Sequence, residues 1–173
     1  MSGEAWWPRL LAGDERLTAR VRMPETARRW QRLATVAAHL GDGWLWLLGW
    51  GLAYALGDAG LQGTVLRWVG AALLAGGMVT AIKVALRRER PTAARGFYAL
   101  RHDVHSFPSG HAARLGVAAV FGSLLGPAWG GLFAAVALLV AWARVALGVH
   151  YLLDVAVGLA IGVVCALAIW RVW

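Results

Sequence analysis

Residues 108–173 read PSGHAARLGVAAVFGSLLGPAWGGLFAAVALLVAWARVALGVHYLLDVAVGLAIGVVCALAIWRVW. Three apolar runs fill this stretch, over about 110–125, 131–147 and 151–172. Each approaches the roughly 20 residues a helix needs to cross a hydrocarbon core. Backbone polar groups must be satisfied within lipid, so the runs are expected to be helical. The link at 126–130 is short, which places its two helices antiparallel. Glycines and alanines along the runs allow close helix contact. His111, Arg114, Arg144, His150 and Asp154 fall near the run ends.

Upstream, two more apolar runs cover about 44–57 and 68–86 and are joined by a short link at 58–62. The chain is 173 residues long and 60% hydrophobic, with a mean hydropathy of +0.59. That apolar share exceeds the level of soluble domains. The expected fold is all-α: a polytopic membrane bundle of about five transmembrane helices, the shorter ones tilted or locally thinning the bilayer. Residues 1–42 differ from the rest, being arginine-rich and amphipathic. Ala27, Trp30, Leu33, Ala34, Ala37 and Leu40 recur at helical spacing, and Pro24 suits a first helical turn. This predicts an interfacial N-terminal segment over 1–42 and a membrane-embedded domain over 43–173. The first 22 residues lack the apolar core of a cleavable signal.

The net charge of +8 sits between apolar runs. It fits anionic headgroups or an anionic substrate and argues against a nucleic-acid partner. Cys165 is the single cysteine, which excludes an intramolecular disulfide and a cysteine-based metal cage. Its apolar setting reads as a small buried hydrophobe.

Three sets of residues carry chemistry. Lys83, the only lysine, precedes Arg90 by seven residues, about two helical turns, so both lie on one face before Pro91 stops the helix. A point charge and a planar fork suit a phosphate; both also fit charges reaching to the interface. Pro108-Ser109-Gly110-His111 opens the third run. A helix start offers N–H groups to an anion, Ser109 a hydroxyl, Gly110 a close backbone, and His111 a proton near neutral pH. The bland alternative is a proline-led cap. Arg144 ends the fourth run, and Asp154 follows His150 by four residues, one helical turn. A carboxylate against an imidazole fixes its tautomer and sharpens it as a nucleophile. A buried ion pair joining two helices is the competing reading. With antiparallel runs, all three sets share one membrane face. Ten fixed positions in order, each about one in twenty, are hard to reach by chance.

This pattern resembles the type-2 phosphatidic acid phosphatase family, which includes vanadium haloperoxidases and glucose-6-phosphatase. The motifs span Lys83 to Asp154. The resemblance implies a metal-independent, cofactor-free lipid phosphate phosphatase. In it His150 matches the nucleophile, Asp154 its partner, and His111 the acid for the leaving group. Lys83, Arg90, Ser109, Gly110 and Arg144 match the phosphate cradle. Ala143 stands where the family usually has serine, and many members have six spans rather than five.

The stretch 106–114, SFPSGHAAR, looks like the polyisoprenoid diphosphate branch. There Arg114 would hold a second phosphate; as a bland alternative it bridges helices. Polyisoprenyl phosphates or diphosphates are expected slightly ahead of glycerolipid phosphates. A soluble phosphate ester and a catalytically silent lipid-binding protein are the competing functions. A haloperoxidase fits a membrane site poorly. Arg9, Arg16, Arg20, Arg22, Arg28, Arg29, Arg32, Arg87, Arg88, Arg95 and Arg101 fall on the active face, against Arg67 and Arg171 opposite. The positive-inside rule then sets the active site on the cytoplasmic face of the cell membrane. His102 and His105 read as loop histidines ahead of a role in substrate entry; His39 and Asp42, before the first run on the active face, read as polar interface residues ahead of groups that support the site from behind. Trp44, Trp46, Trp129, Trp170 and Trp173 read as an aromatic belt.

Overall fold

The computed structural model describes residues 6–24, 26–91 and 104–173; Arg95, Arg101 and His102 lie outside them. Its helices are α1 Trp6–Val21, α2 Arg28–His39, α3 Gly43–Leu56, α4 Ala59–Leu86, α5 Gly110–Leu125, α6 Pro127–Ala146 and α7 Leu152–Val172. Helices α4, α6 and α7 are long and apolar enough to cross a membrane, while α3 and α5 are shorter apolar helices of 14 and 16 residues. Leu73, Met78, Leu138, Val164 and Leu167 lie exposed along these helices. A broad exposed apolar surface of this kind is what contact with lipid requires.

The boundaries differ from the sequence reading in four places. Helix α4 ends at Leu86 with a left-handed Arg87, so Arg90 lies past the helix rather than on one face of it with Lys83. The N-terminal segment holds two helices rather than one, and α2 starts four residues after Pro24, which sits in the turn between them. Helix α4 begins nine residues before the expected start, because Asp58 caps it: Oδ1 accepts from the Leu61 backbone N–H at 2.8 Å. Its mixed polar first turns diluted the apolar signal. Helix α6 begins at Pro127, which needs no N–H at that position.

Helix α5 is the hub, touching α4, α6 and α7. It meets α7 so closely that a Cβ on Gly158 would lie 2.4 Å from the Ser109 carbonyl oxygen. That approach lets the Ser109 N–H donate to the Asp154 carbonyl at 2.9 Å, tying the two helix starts together. Helix α2 lies on α6 through Ala34, Ala37 and Ala38 against Ala143. Deeper in the bundle, Trp50, Trp68 and Phe121 form an aromatic core with Trp46 and Phe133 against it. Trp44, Trp129, Trp170 and Trp173 are exposed near helix ends. Trp46 turns inward instead and donates to the Leu40 carbonyl at 2.8 Å.

Candidate active site

The end of α4, the starts of α5 and α7 and the end of α6 converge on His150. This residue lies in the link between α6 and α7 and is 1% exposed. Its Nε2 sits 3.2 Å from Arg144 Nη2 and 3.5 Å from Arg90 Nη1. Guanidinium groups only donate, so Nε2 carries the lone pair. The ring proton is therefore on Nδ1, which donates to Asp154 Oδ2 at 3.3 Å. Burial, then the charges of Arg144, Arg90 and Lys83, hold the His150 imidazole well below its ordinary pKa. The side chain is neutral, with its lone pair aimed among cations.

Two of those cations are held by backbone carbonyls. Arg90 Nη1 donates to the Val149 carbonyl at 3.0 Å, and Lys83 Nζ to the His105 carbonyl at 3.1 Å. Arg144 is 2% exposed. Ser109 is fully buried as the N-cap of α5, its Oγ accepting from Ala112 N–H at 3.5 Å. Gly110 follows it. A Cβ there would make only ordinary contact with Val79 at 3.8 Å, so packing does not demand a glycine.

His111 belongs to a second pair. Its Nε2 donates to Asp42 Oδ1 at 2.8 Å, and His39 Nδ1 donates to Asp42 Oδ2 at 2.7 Å. Asp42 stands at the N-cap position of α3 but makes no side-chain cap, and Gly41 beside it lets the turn meet the imidazole: a Cβ there would lie 2.7 Å from His111 Cδ2. Burial raises the Asp42 pKa, but the hydrogen bonds of His39 and His111 outweigh it and leave the carboxyl below its ordinary value. His39 and Asp42 thus stand behind His111, the alternative to a purely interfacial role.

Arg114, expected to bridge helices or hold a second phosphate, donates to the Gly41 carbonyl. It also lines a groove of about 550 Å³ with Lys83, His105, Gly110 and His111. The groove continues along Ala72, Gly76, Val79 and Thr80 of α4. One end is cationic and the other apolar.

Three further residues enter the site without an earlier signal. Arg88 Nη1 donates to Asp154 Oδ1 at 2.8 Å, and its Nη2 to Asp14 Oδ2 at 2.8 Å. Ser106 is fully buried and donates to the Glu89 carbonyl at 2.9 Å, joining the two ends of the 89–106 link.

A family model described as PAP2 superfamily matches residues 64–173. The crystal structure of Aquifex aeolicus LpxE is similar, with a TM-score of 0.74, 25% identity and 99% of each chain covered. So is that of the first transmembrane PAP2 type phosphatidylglycerolphosphate phosphatase from Bacillus subtilis: TM-score 0.74, 22% identity, covering 94% of this chain and 85% of the other. No curated protein matches.

Proposed function

We propose that this chain, which belongs to the PAP2 superfamily and is similar to LpxE over its length, is a membrane lipid phosphatase that works through a covalent phosphohistidine at His150. The phosphate sits among Lys83, Arg90, Arg144 and the N–H groups at the start of α5. His150 Nε2 attacks phosphorus, and the bond from phosphorus to the lipid oxygen breaks. His111 gives that oxygen a proton and leaves as a neutral base. It then takes a proton from water, which attacks the phosphohistidine and releases inorganic phosphate. Asp154 holds the proton on Nδ1 throughout and balances the positive charge on the phosphorylated ring. Phosphoryl transfer asks chiefly for positioning and charge stabilisation, and this cradle is built for both. The reading requires no metal.

The observation that carries a lipid substrate is the groove: its cationic end fits a phosphate and its apolar end a hydrocarbon tail. LpxE and the phosphatidylglycerolphosphate phosphatase support the class. Arg114 gives one guanidinium nitrogen to the Gly41 carbonyl and still lines the groove, so its remaining N–H groups can meet a second phosphate. The cradle accepts a monophosphate or diphosphate, on a polyisoprenyl or glycerolipid tail. In this reading α1 and α2 lie on the membrane surface and 43–173 forms the embedded catalytic domain. Arg9, Arg16, Arg20, Arg22, Arg28, Arg29 and Arg32 support a cytoplasmic position for that face. A cysteine placed in 92–105 and labelled only from outside the cell would reverse the orientation.

The test is phosphate release in EDTA from a panel of glycerolipid and polyisoprenyl mono- and diphosphates, beside a soluble sugar phosphate. The reading expects release from the lipid phosphates at a higher rate than from the soluble ester. A folded protein that hydrolyses only the soluble ester, or that stops in EDTA and recovers with a divalent cation, would contradict it.

A further inference from the structure

Asp154 is held more tightly by groups other than His150. Its Oδ2 accepts from the Tyr151 N–H at 2.9 Å and its Oδ1 from Arg88 at 2.8 Å, while the imidazole is 3.3 Å away. Arg88 is in turn fixed from two sides. Its guanidinium lies 3.9 Å over the Tyr151 ring, and its second fork nitrogen reaches Asp14. Asp14 belongs to α1, 140 residues from Asp154 in sequence. It is 7% exposed and uses both oxygens: Oδ2 for Arg88, and Oδ1 for the Leu153 N–H at 2.9 Å. One turn along α1, Thr18 Oγ1 accepts from the Leu152 N–H at 3.1 Å.

We propose that Asp14 and Arg88 are positioning residues of the reaction, so that α1 is a working part of the nucleophile. An arginine between two carboxylates has a defined fork plane, because each nitrogen has one partner. That plane sets the rotamer of Asp154, and Asp154 sets the tautomer and angle of His150. Without Asp14, Arg88 retains one carboxylate and can pivot about it. Small rotations of an attacking group are costly in rate while leaving substrate contacts intact. The expected signature is therefore a lower kcat at constant KM. Thr18 differs: its hydroxyl serves the helix-start N–H of Leu152 and not the Arg88 fork.

This inference rests on His150 being the nucleophile. The test compares Asp14→Asn, Arg88→Lys, Thr18→Val and His150→Ala in the full chain, with kcat, KM and thermal stability read on one detergent-dispersed lipid monophosphate. Asparagine keeps an oxygen for the Leu153 N–H but places an amide, which cannot accept, opposite Arg88. The proposal expects kcat to fall about tenfold in Asp14→Asn with KM within about twofold, the loss of one charged hydrogen bond. Thr18→Val should lower the melting temperature and keep kcat. Arg88→Lys retains the charge but cannot bridge both carboxylates; it should repeat the kcat loss and carries the test if Asp14→Asn fails to fold. Wild-type kcat in both folded variants, with His150→Ala dead, overturns this inference alone. So does a kcat loss in Thr18→Val equal to theirs, which would mark a purely structural docking. Phosphate release by His150→Ala overturns the nucleophile and this inference with it.

Discussion

The site contains two histidine–aspartate pairs, and they are built differently. His150 and Asp154 are four residues apart, 1% and 0% exposed by side chain, and walled in by cations. His111 and Asp42 are 69 residues apart, 18% and 17% exposed, with a third partner in His39. In the proposed mechanism the first pair has one job with one geometry: present a lone pair to phosphorus. The second trades protons with a leaving oxygen and with water, which requires partial access to the groove. The difference in burial matches this division of roles.

Substitutions at the two pairs should differ in size and in dependence on the leaving group. His150→Ala removes the attacking atom and should cost more than about 10⁴-fold in phosphate release, beyond the range of a lost general acid. Asp154→Asn frees His150 to adopt the wrong tautomer. A loss approaching about 10⁴-fold is expected, as for other histidines deprived of their carboxylate, measured as kcat with little change in KM. His111→Ala should cost about 10² to 10⁴-fold on an alkyl phosphate. On a nitrophenyl phosphate, whose leaving group needs no proton, most of its first-step loss should vanish, while that of His150→Ala should not. Equal leaving-group dependence in both variants would erase the division of roles. Asp42→Asn should cost only about tenfold, one hydrogen bond to a charged group.

The smallest effect concerns pH. The His150 pKa is depressed in the folded protein, so below about 6.5 the unfolded chain binds a proton that the folded one does not. Folding stability from this group is present above that pH and is lost as pH falls. Wild type should therefore lose more melting temperature between pH 7 and 5 than a folded His150→Gln variant. An equal loss would mean that the buried imidazole is not held neutral.

The same contrast explains what the sequence could reveal. The His150–Asp154 pair announces itself by its four-residue spacing, although His150 stands just ahead of α7. Lys83 and Arg90 do meet at the site, but not on one helix face: α4 ends at Leu86, and Arg90 reaches His150 from the link beyond it. The apolar runs exposed the bundle, because lipid leaves helices few alternatives. Asp42 carries no such mark: it reaches His111 across 69 residues, and only the fold brings α3's first turn to α5. Arg88 was hidden in a run of arginines. Arg87 beside it is exposed in a left-handed cap with φ of 47° that ends α4, and this turn sends Arg88 inward. Asp14 lies in a segment whose amphipathic pattern speaks of a membrane surface and says nothing of the residue that faces the protein.

The most direct measurement is a rapid quench of the enzyme with a lipid phosphate labelled with radioactive phosphorus, in EDTA, followed by isolation of the protein. The account predicts label bound to the chain, stable in alkali and lost in acid as a phosphohistidine is, on the peptide carrying His150 and missing from His150→Ala. Turnover with no label on the protein, or label that persists in His150→Ala, would contradict it.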